Sequence, residues 1–285
     1  MAKILIAIPH YFRREAKSVY DSERSSAEDR AVLVAKTLSG LWTNLGGPTT
    51  IYETKGGRLL DGPHRHQINI RLVTAGSDHL VESLQGVREL FRHVSTNIAN
   101  PRLLGFECHR IFAEEVEDFD WFVYLEDDLV LHDPLLIEKL GWFSQRFGDI
   151  NLLQVNRYEK GYGYARVYID GPGRWKAQGR GPPWPETLEA EFLGRTLRFE
   201  LATNPHSGCF FVTRRQMRRW MRSTIFLDRD TSFVGPLESA ATLGIYKTFR
   251  VYKTAAANYD FVEIRHAGSV YLKTILARTM LAKKT

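Results

Sequence analysis

Three consecutive acids, Glu126-Asp127-Asp128, follow the apolar run Trp121-Phe-Val-Tyr-Leu125 and precede a second one, Leu129-Val-Leu131. Carboxylates side by side at the end of a buried strand repel one another unless a cation, hydrogen-bond donors or water compensates them. Hard oxygen ligands at such a place suit Mg²⁺ or Mn²⁺, which takes one or two carboxylates and completes its shell with phosphate oxygens. The end of a strand is also where open α/β sheets keep their ligands. The plainer alternative is an acidic turn that leads into a helix capped at Asp133-Pro134, but apolar flanks on both sides make a solvated turn harder to build.

A second cluster leaves the first apolar run of the chain: Ile8-Pro-His-Tyr-Phe-Arg-Arg14. Tyr11 or Phe12 offers a ring to stack on a base, and Arg13 a guanidinium for phosphate oxygens. Packing in the loop would use the same rings.

The elements that must hold these groups alternate. Lys3–Ile8 is a short continuous apolar run stopped by Pro9, the pattern of a strand buried on both faces. Ser25 or Ser26, followed by Glu28 and Asp29, forms a capping box for a helix toward Gly46-Gly47, with Val32, Leu33, Ala35, Leu38, Leu41 and Trp42 as its apolar stripe. Ile68–Val73 and Trp121–Leu125 read as further strands. Helices are expected from Asp78 to Phe91, from Leu103 to Val116 and from Leu135 to Phe147. Asn151–Val155 and Gly208–Val212 read as later strands. Between them, residues 156–200 are expected as a long functional loop, rich in Gly, Pro and Arg from 156 to 187. Strands alternating with helices argue for βαβ units and a parallel sheet. The chain then divides into two halves, residues 1–130 and 131–285.

Composition sets outer bounds. Of 285 residues, 44% are hydrophobic and 25% charged, which excludes a disordered or low-complexity chain. Thirty-nine Lys and Arg against 33 Asp and Glu leave +6, suited to an anionic partner of small or large size. Two cysteines, Cys108 and Cys209, leave no disulfide framework and no Cys-based zinc cluster, and are expected as reduced thiols. No stretch approaches the roughly 20 apolar residues of a bilayer span, and the start of the chain lacks a secretory pattern. A cytoplasmic, reducing location is expected.

Two segments, Leu104-Gly-Phe-Glu-Cys-His-Arg-Ile-Phe-Ala-Glu-Glu-Val116 and Asp120-Trp-Phe-Val-Tyr-Leu-Glu-Asp-Asp-Leu-Val-Leu-His-Asp-Pro134, together resemble the core of a GT-A glycosyltransferase. In particular they are similar to the N-acetylglucosaminyltransferase I family, whose metal motif is also Glu-Asp-Asp on a hydrophobic strand. The close likeness spans residues 104–140; weaker agreement reaches the opening strand, the strand from Gly208 and the last fifty residues. The resemblance implies a GT-A-like, Rossmann-type mixed α/β sheet flanked by helices, a single large unit of two abutting halves, with 1–130 as the nucleotide-sugar-binding half and 131–285 as the acceptor-binding and catalytic half. It implies Mn²⁺ or Mg²⁺, a nucleotide-sugar donor, and a glycan or lipid-linked glycan acceptor.

By the same resemblance Asp128 would bind the metal, and Glu126 and Asp127 would face the ribose and the donor sugar or metal waters. His109 and Arg110 would lie near the diphosphate, and Ser207 and Gly208 would wall the donor sugar. His266 would reach the metal or diphosphate as a neutral imidazole. Inverting transfer needs a carboxylate that deprotonates the acceptor hydroxyl as it attacks the anomeric carbon. Glu238 is the candidate, in the first turn of a helix that Pro236 opens and whose dipole favours an anion there. The stretch around Gly208 differs in detail from that family's, and the aromatics of its base motif are absent around Glu238.

Two other functions are tested against the same residues. A sugar-nucleotidyltransferase requires a Gly-rich phosphate loop after the first strand, and Pro9-His-Tyr-Phe-Arg-Arg14 has no glycine. A nucleic-acid-binding module would use the arginines from Arg214 to Arg222 and the stretch 174–180; the modest net charge and the buried acids speak against it, and no nucleic-acid partner is expected. The Arg face of that helix, with the basic segment from Val270 to Lys284, instead fits peripheral contact with an anionic membrane.

Overall fold

Alternate residues of Lys3–Pro9 enter opposite cores: Ile4, Ile6 and Ile8 one apolar cluster, Leu5 and Ala7 the other. A strand with no polar face belongs inside a sheet covered on both sides. In the computed structural model it is the central strand of the main sheet. The structure describes residues 1–13, 26–63, 65–161, 165–171, 185–269 and 271–274. Ser25, Arg14, the stretch 174–180 and most of the segment from Val270 to Lys284 lie outside the described residues.

In chain order the strands are β1 (Lys3–Pro9), β2 (Thr50–Glu53), β3 (Arg58–Asp61), β4 (Gln67–Ala75), β5 (Arg92–Thr96), β6 (Trp121–Leu125), β7 (Leu129–Val130), β8 (Asn151–Leu153), β9 (Asn156–Lys160), β10 (Arg166–Tyr168), β11 (Thr187–Phe192), β12 (Arg195–Leu201), β13 (Cys209–Thr213), β14 (Arg250–Thr254) and β15 (Glu263–His266). The α-helices are α1 (Ala27–Leu41), α2 (Leu104–Glu114), α3 (Leu136–Phe147), α4 (Arg214–Met221) and α5 (Pro236–Thr248).

The main sheet has the order β13-β6-β1-β4-β5, with β6, β1, β4 and β5 parallel and β13 antiparallel at the edge. A second sheet, β10-β9-β15-β7, and a third, β11-β12-β14-β8, are mixed. The expected mixed α/β architecture with flanking helices is therefore present. The halves interleave: β13 completes the main sheet, and β7, reached directly from the acidic triplet, belongs to the second sheet.

Three expectations are corrected. The stretch from Asp78 to Phe91 is two short 3₁₀ turns, Val81–Ser83 and Gln85–Leu90, because Gly86 and Val87, whose φ of −134° leaves the helical region, interrupt it. Residues 156–200 contain β9, β10, β11 and β12 rather than one loop. In β12 the inward alternation of Leu197 and Phe199 among exposed charged neighbours is the strand signal that the Gly- and Pro-rich composition upstream obscures. Finally, α1 is capped by Ser26, which accepts from Asp29 N–H at 3.0 Å, but its inward face is Arg30, Ala31, Val34, Thr37, Leu38 and Leu41. Val32 is half exposed. The helix is turned so that Arg30 and Thr37 meet the acidic triplet.

Candidate active site

The triplet occupies the turn where the chain leaves β6 for β7. Cys209 pairs with Leu125, so Gly208 stands beside Glu126 and accepts its N–H at 2.9 Å. On the other flank His266 pairs with Leu129, and Ala267 N–H donates to Asp128 O at 2.8 Å. Gly208 has φ +61°, and a Cβ there would overlap the Glu126 carboxylate and lie 3.1 Å from Arg157 Nη1. Glycine is required both for the backbone conformation and for the room.

Each acid has a different set of partners. Asp127 is buried and both its oxygens are taken: Arg30 Nη2 donates to Oδ1, and His10 Nδ1–H donates to Oδ2 at 2.6 Å. Leu80 N–H points at His10 Nε2 from 3.0 Å, which puts the ring proton on Nδ1. Thr37 Oγ1 also donates to Asp127 O. Asp128 Oδ2 accepts from Arg30 Nη1 at 3.2 Å and lies 3.7 Å from His266 Nε2, while Oδ1 is buried without a partner. Burial would raise its pKa, but His266 and Arg30 outweigh that and hold it below the ordinary value. Glu126 goes the other way: burial, with Asp128 and Glu238 nearby, pushes it up to about 8 against the opposing pull of Arg157 at 3.7 Å.

Arg157 is itself fixed by a buried two-pronged pair, its Nε and Nη2 donating to Asp170 at 2.9 Å each. Burial alone would raise the Asp170 pKa; Arg157 and Lys253 more than offset it and hold the carboxyl well below the usual range. His266 donates through Nδ1 to Glu159 Oε1 at 2.8 Å, turning Nε2 toward Asp128. Burial lowers its pKa, but Asp128 and Glu159 outweigh burial, and the net shift is upward. Glu238 sits in the first turn of α5, and its Oε2 is buried without a partner. It is near enough to contribute to the upward shift of Glu126.

The structure thus brings Glu126, Asp127, Asp128, Gly208, Glu238 and His266 together. Ser207 is next to them, but its hydroxyl is spent on Val155 O at 2.7 Å and His206 O at 2.8 Å. Tyr11 is half-buried along the end of β4, with its hydroxyl 3.4 Å from Asp78, and Arg13 is exposed beyond it.

Two expected residues are elsewhere. His109 is a core histidine: it lies among Phe106, Tyr124, Phe210 and Trp220, its Nε2 is 3.1 Å from Ala240 O, and burial pushes its pKa down to about 3. Arg110 is on the outer face of α2, paired with Glu107 and Glu114. A helix that packs one side on the sheet cannot aim successive residues into one site.

Arg30, His10, Arg157, Asp170 and Glu159 join the acids without a motif that marks them in the chain. Arg30 had a readable signal, being a charge four residues before Val34 on the apolar side of α1. The arginine helix is remote: Arg214 N–H bonds Asp120 O at the start of β6, the opposite end from Glu126. Arg214, Arg215 and Arg218 are paired with Asp120, Asp149 and Glu117. Both cysteines are free and buried.

Among the described residues no three or more His, Cys, Asp or Glu side chains are grouped to hold a metal by themselves. Asp128 and His266 nonetheless offer a carboxylate oxygen without a partner and an imidazole nitrogen whose tautomer is set by a carboxylate behind it. Such a pair fits Mg²⁺ or Mn²⁺ if diphosphate oxygens and water fill the rest of the shell. A metal there would displace the proton that the raised pKa favours on His266.

Among the described residues no helix is long and apolar enough to cross a membrane. No family model matches the chain, and no curated protein matches it. Among solved structures it is similar to a candidate nucleotide-diphospho-sugar transferase from Desulfovibrio desulfuricans G20, at 8% identity and a TM-score of 0.39, over 89% of this chain and 80% of that one. It is also similar to S. aureus TarS, at 10% identity and a TM-score of 0.42, over 94% of this chain and 37% of TarS. Likeness this distant carries no argument about function, and for TarS the chain spans little more than a third of its length.

Proposed function

We propose that the chain is a metal-dependent, inverting glycosyltransferase that moves a hexosyl or N-acetylhexosaminyl group from a nucleotide-diphosphate donor to a hydroxyl of a glycan or glycolipid. The observation that carries this reading is a pair of buried carboxylate oxygens without partners among the described residues, Asp128 Oδ1 and Glu238 Oε2, from two acids that both raise the pKa of Glu126. Buried polar atoms are normally paired, and an exception invites a ligand.

Asp128 and His266 would hold Mg²⁺ or Mn²⁺. The ion, when bound, would neutralise charge on the leaving diphosphate. Glu238 takes the proton of the acceptor hydroxyl as that oxygen bonds to the anomeric carbon and the bond to the nucleoside diphosphate breaks. Glu126, protonated at neutral pH by its raised pKa, has an O–H to donate to a donor hydroxyl. Arg30 and His10 keep Asp127 fixed behind Asp128. Tyr11 and Arg13, at the end of β1, would contact the base and phosphates, and Gly208 leaves the space in which the sugar lies. The likeness of the Glu-Asp-Asp segment to the N-acetylglucosaminyltransferase I family supports the same assignment.

Calorimetric titration of nucleoside diphosphates with and without Mn²⁺ tests it. Mn²⁺ should strengthen binding to the wild type and not to Asp128→Ala, and an equal effect in both would refute the metal site. Glu238→Gln should keep donor binding and lose about 10²–10⁴-fold in transfer rate. Thermal shifts with UDP-, GDP-, CMP- and dTDP-sugars name the donor. Peripheral contact with anionic lipid through Arg219 and Arg222 belongs to the same proposal; equal sedimentation with neutral and anionic vesicles would remove it.

A further inference from the structure

One buried carboxylate ties the chain beyond His266 to the site. Glu159, fully buried on β9, accepts His266 Nδ1–H and, at 3.4 Å, Tyr271 N–H through Oε1. Its Oε2 accepts Leu272 N–H at 2.7 Å. Lys273 N–H reaches back to Ser269 O at 3.0 Å, so Glu159 stands where a helical turn begins and its unpaired N–H groups attract an anion. A single side chain therefore sets the ring orientation of His266 and holds the backbone of Tyr271 and Leu272.

Tyr271 is the result of that path. Its ring packs edge-on against His266, with centroids 5.5 Å apart, and the Arg157 guanidinium lies 5.6 Å from its centroid. Yet the residue is 42% exposed. A partly open aromatic ring beside an imidazole and a guanidinium offers what a pyranose ring requires: an apolar surface for its C–H face and a hydroxyl for its own.

We propose that Glu159 is a positioning residue for this site, orienting His266 toward Asp128 and fixing Tyr271 as the wall against which the sugar ring of the donor lies. The proposal rests on the reading of Asp128 and His266 as the metal and donor site. A purely structural Glu159 would affect stability and nothing else.

The full-length chain is titrated by calorimetry with Mn²⁺, with UDP, GDP or dTDP, and with the matching nucleotide sugar. Tyr271→Ala should weaken the nucleotide sugar about three- to tenfold, the range of one aromatic contact, and leave the nucleoside diphosphate within about twofold. Glu159→Gln sets an amide N–H against the N–H of His266 or of Leu272, and should weaken Mn²⁺ in the presence of the nucleoside diphosphate about 10- to 100-fold. If Glu159→Gln does not fold, the half-exposed Tyr271→Ala still decides the case. Unchanged binding in a folded Glu159→Gln, or equal losses for nucleotide and nucleotide sugar in Tyr271→Ala, would overturn the proposal. Failure of the wild-type chain to bind any nucleotide would instead sink the functional reading beneath it.

Discussion

Asp127→Asn separates an acid that anchors from one that binds substrate. In the structure Asp127 accepts from Arg30 through one oxygen and from His10 through the other, and only 5% of the residue is exposed. The amide has one acceptor and one donor end. Whichever way it turns, an N–H group faces either the guanidinium or the His10 Nδ1–H, and Arg30 loses half of its counter-charge. Breaking a buried ion pair from one side costs about 3–5 kcal/mol. At about 2–4 °C per kcal/mol for large domains, the melting temperature should fall by roughly 10 °C. Arg30→Met should cost a similar amount by stranding Asp127, and the double variant should be less unstable than the two losses added, by about 0.5–3 kcal/mol. Guanidinium melts of the four proteins read this directly. If Asp127→Asn melts within 1–2 °C of the wild type (about 0.5 kcal/mol at the same conversion) yet no longer binds nucleotide, Asp127 is a ligand of the substrate and the anchoring argument is wrong.

Gly208→Ala should lose about 1–2 kcal/mol from the left-handed backbone alone, and weaken donor binding as the methyl displaces the Glu126 carboxylate; unaltered binding would show that Glu126 is not held in place from that side. Asp170 has a depressed folded pKa, so its stabilisation is complete above the unfolded carboxylate value of about 3.9 and is lost as pH falls from there toward the folded value. The stability gap between wild type and Asp170→Asn should accordingly be widest near neutrality and shrink below about pH 4, and a gap independent of pH would exclude the ion pair with Arg157 as its source. Gly244→Ala puts a methyl 2.7 Å from Trp220 Cε2 where α5 crosses α4, and should cost about 1–3 kcal/mol with nucleotide affinity unchanged, as a test that the two helices meet away from the site.

Local order fixed a good part of this molecule. The apolar runs of β1, β4 and β6 are continuous because both faces of the central sheet are covered, and a run of that kind is visible in the chain without any partner. Pro236 and Glu238 marked the start of α5, and Ser26 with Asp29 the start of α1, because caps are short-range chemistry. The acidic triplet after β6 and its place at the end of a buried strand were legible for the same reason. The strands of 156–200 were less so: β9 and β12 take part of their hydrogen bonding from β15 and β14, more than fifty residues away, and the local pairs β9–β10 and β11–β12 flank a Gly- and Pro-rich stretch whose composition hides their alternation.

The three acids became different from one another only when distant segments met. Arg30 from α1 reaches both Asp127 and Asp128, Arg157 from β9 approaches Glu126, and His266 from β15 approaches Asp128 from its other side. The consequence is that one carboxyl is locked, one has its pKa pushed upward and one keeps an open oxygen. A chain of identical composition carries no record of such pairings, because the strength of a charge–charge contact depends on separation and burial in space. His109 shows the converse: a histidine one residue from an arginine on a promising helix is carried into an aromatic core simply because that face of α2 is the one the sheet covers.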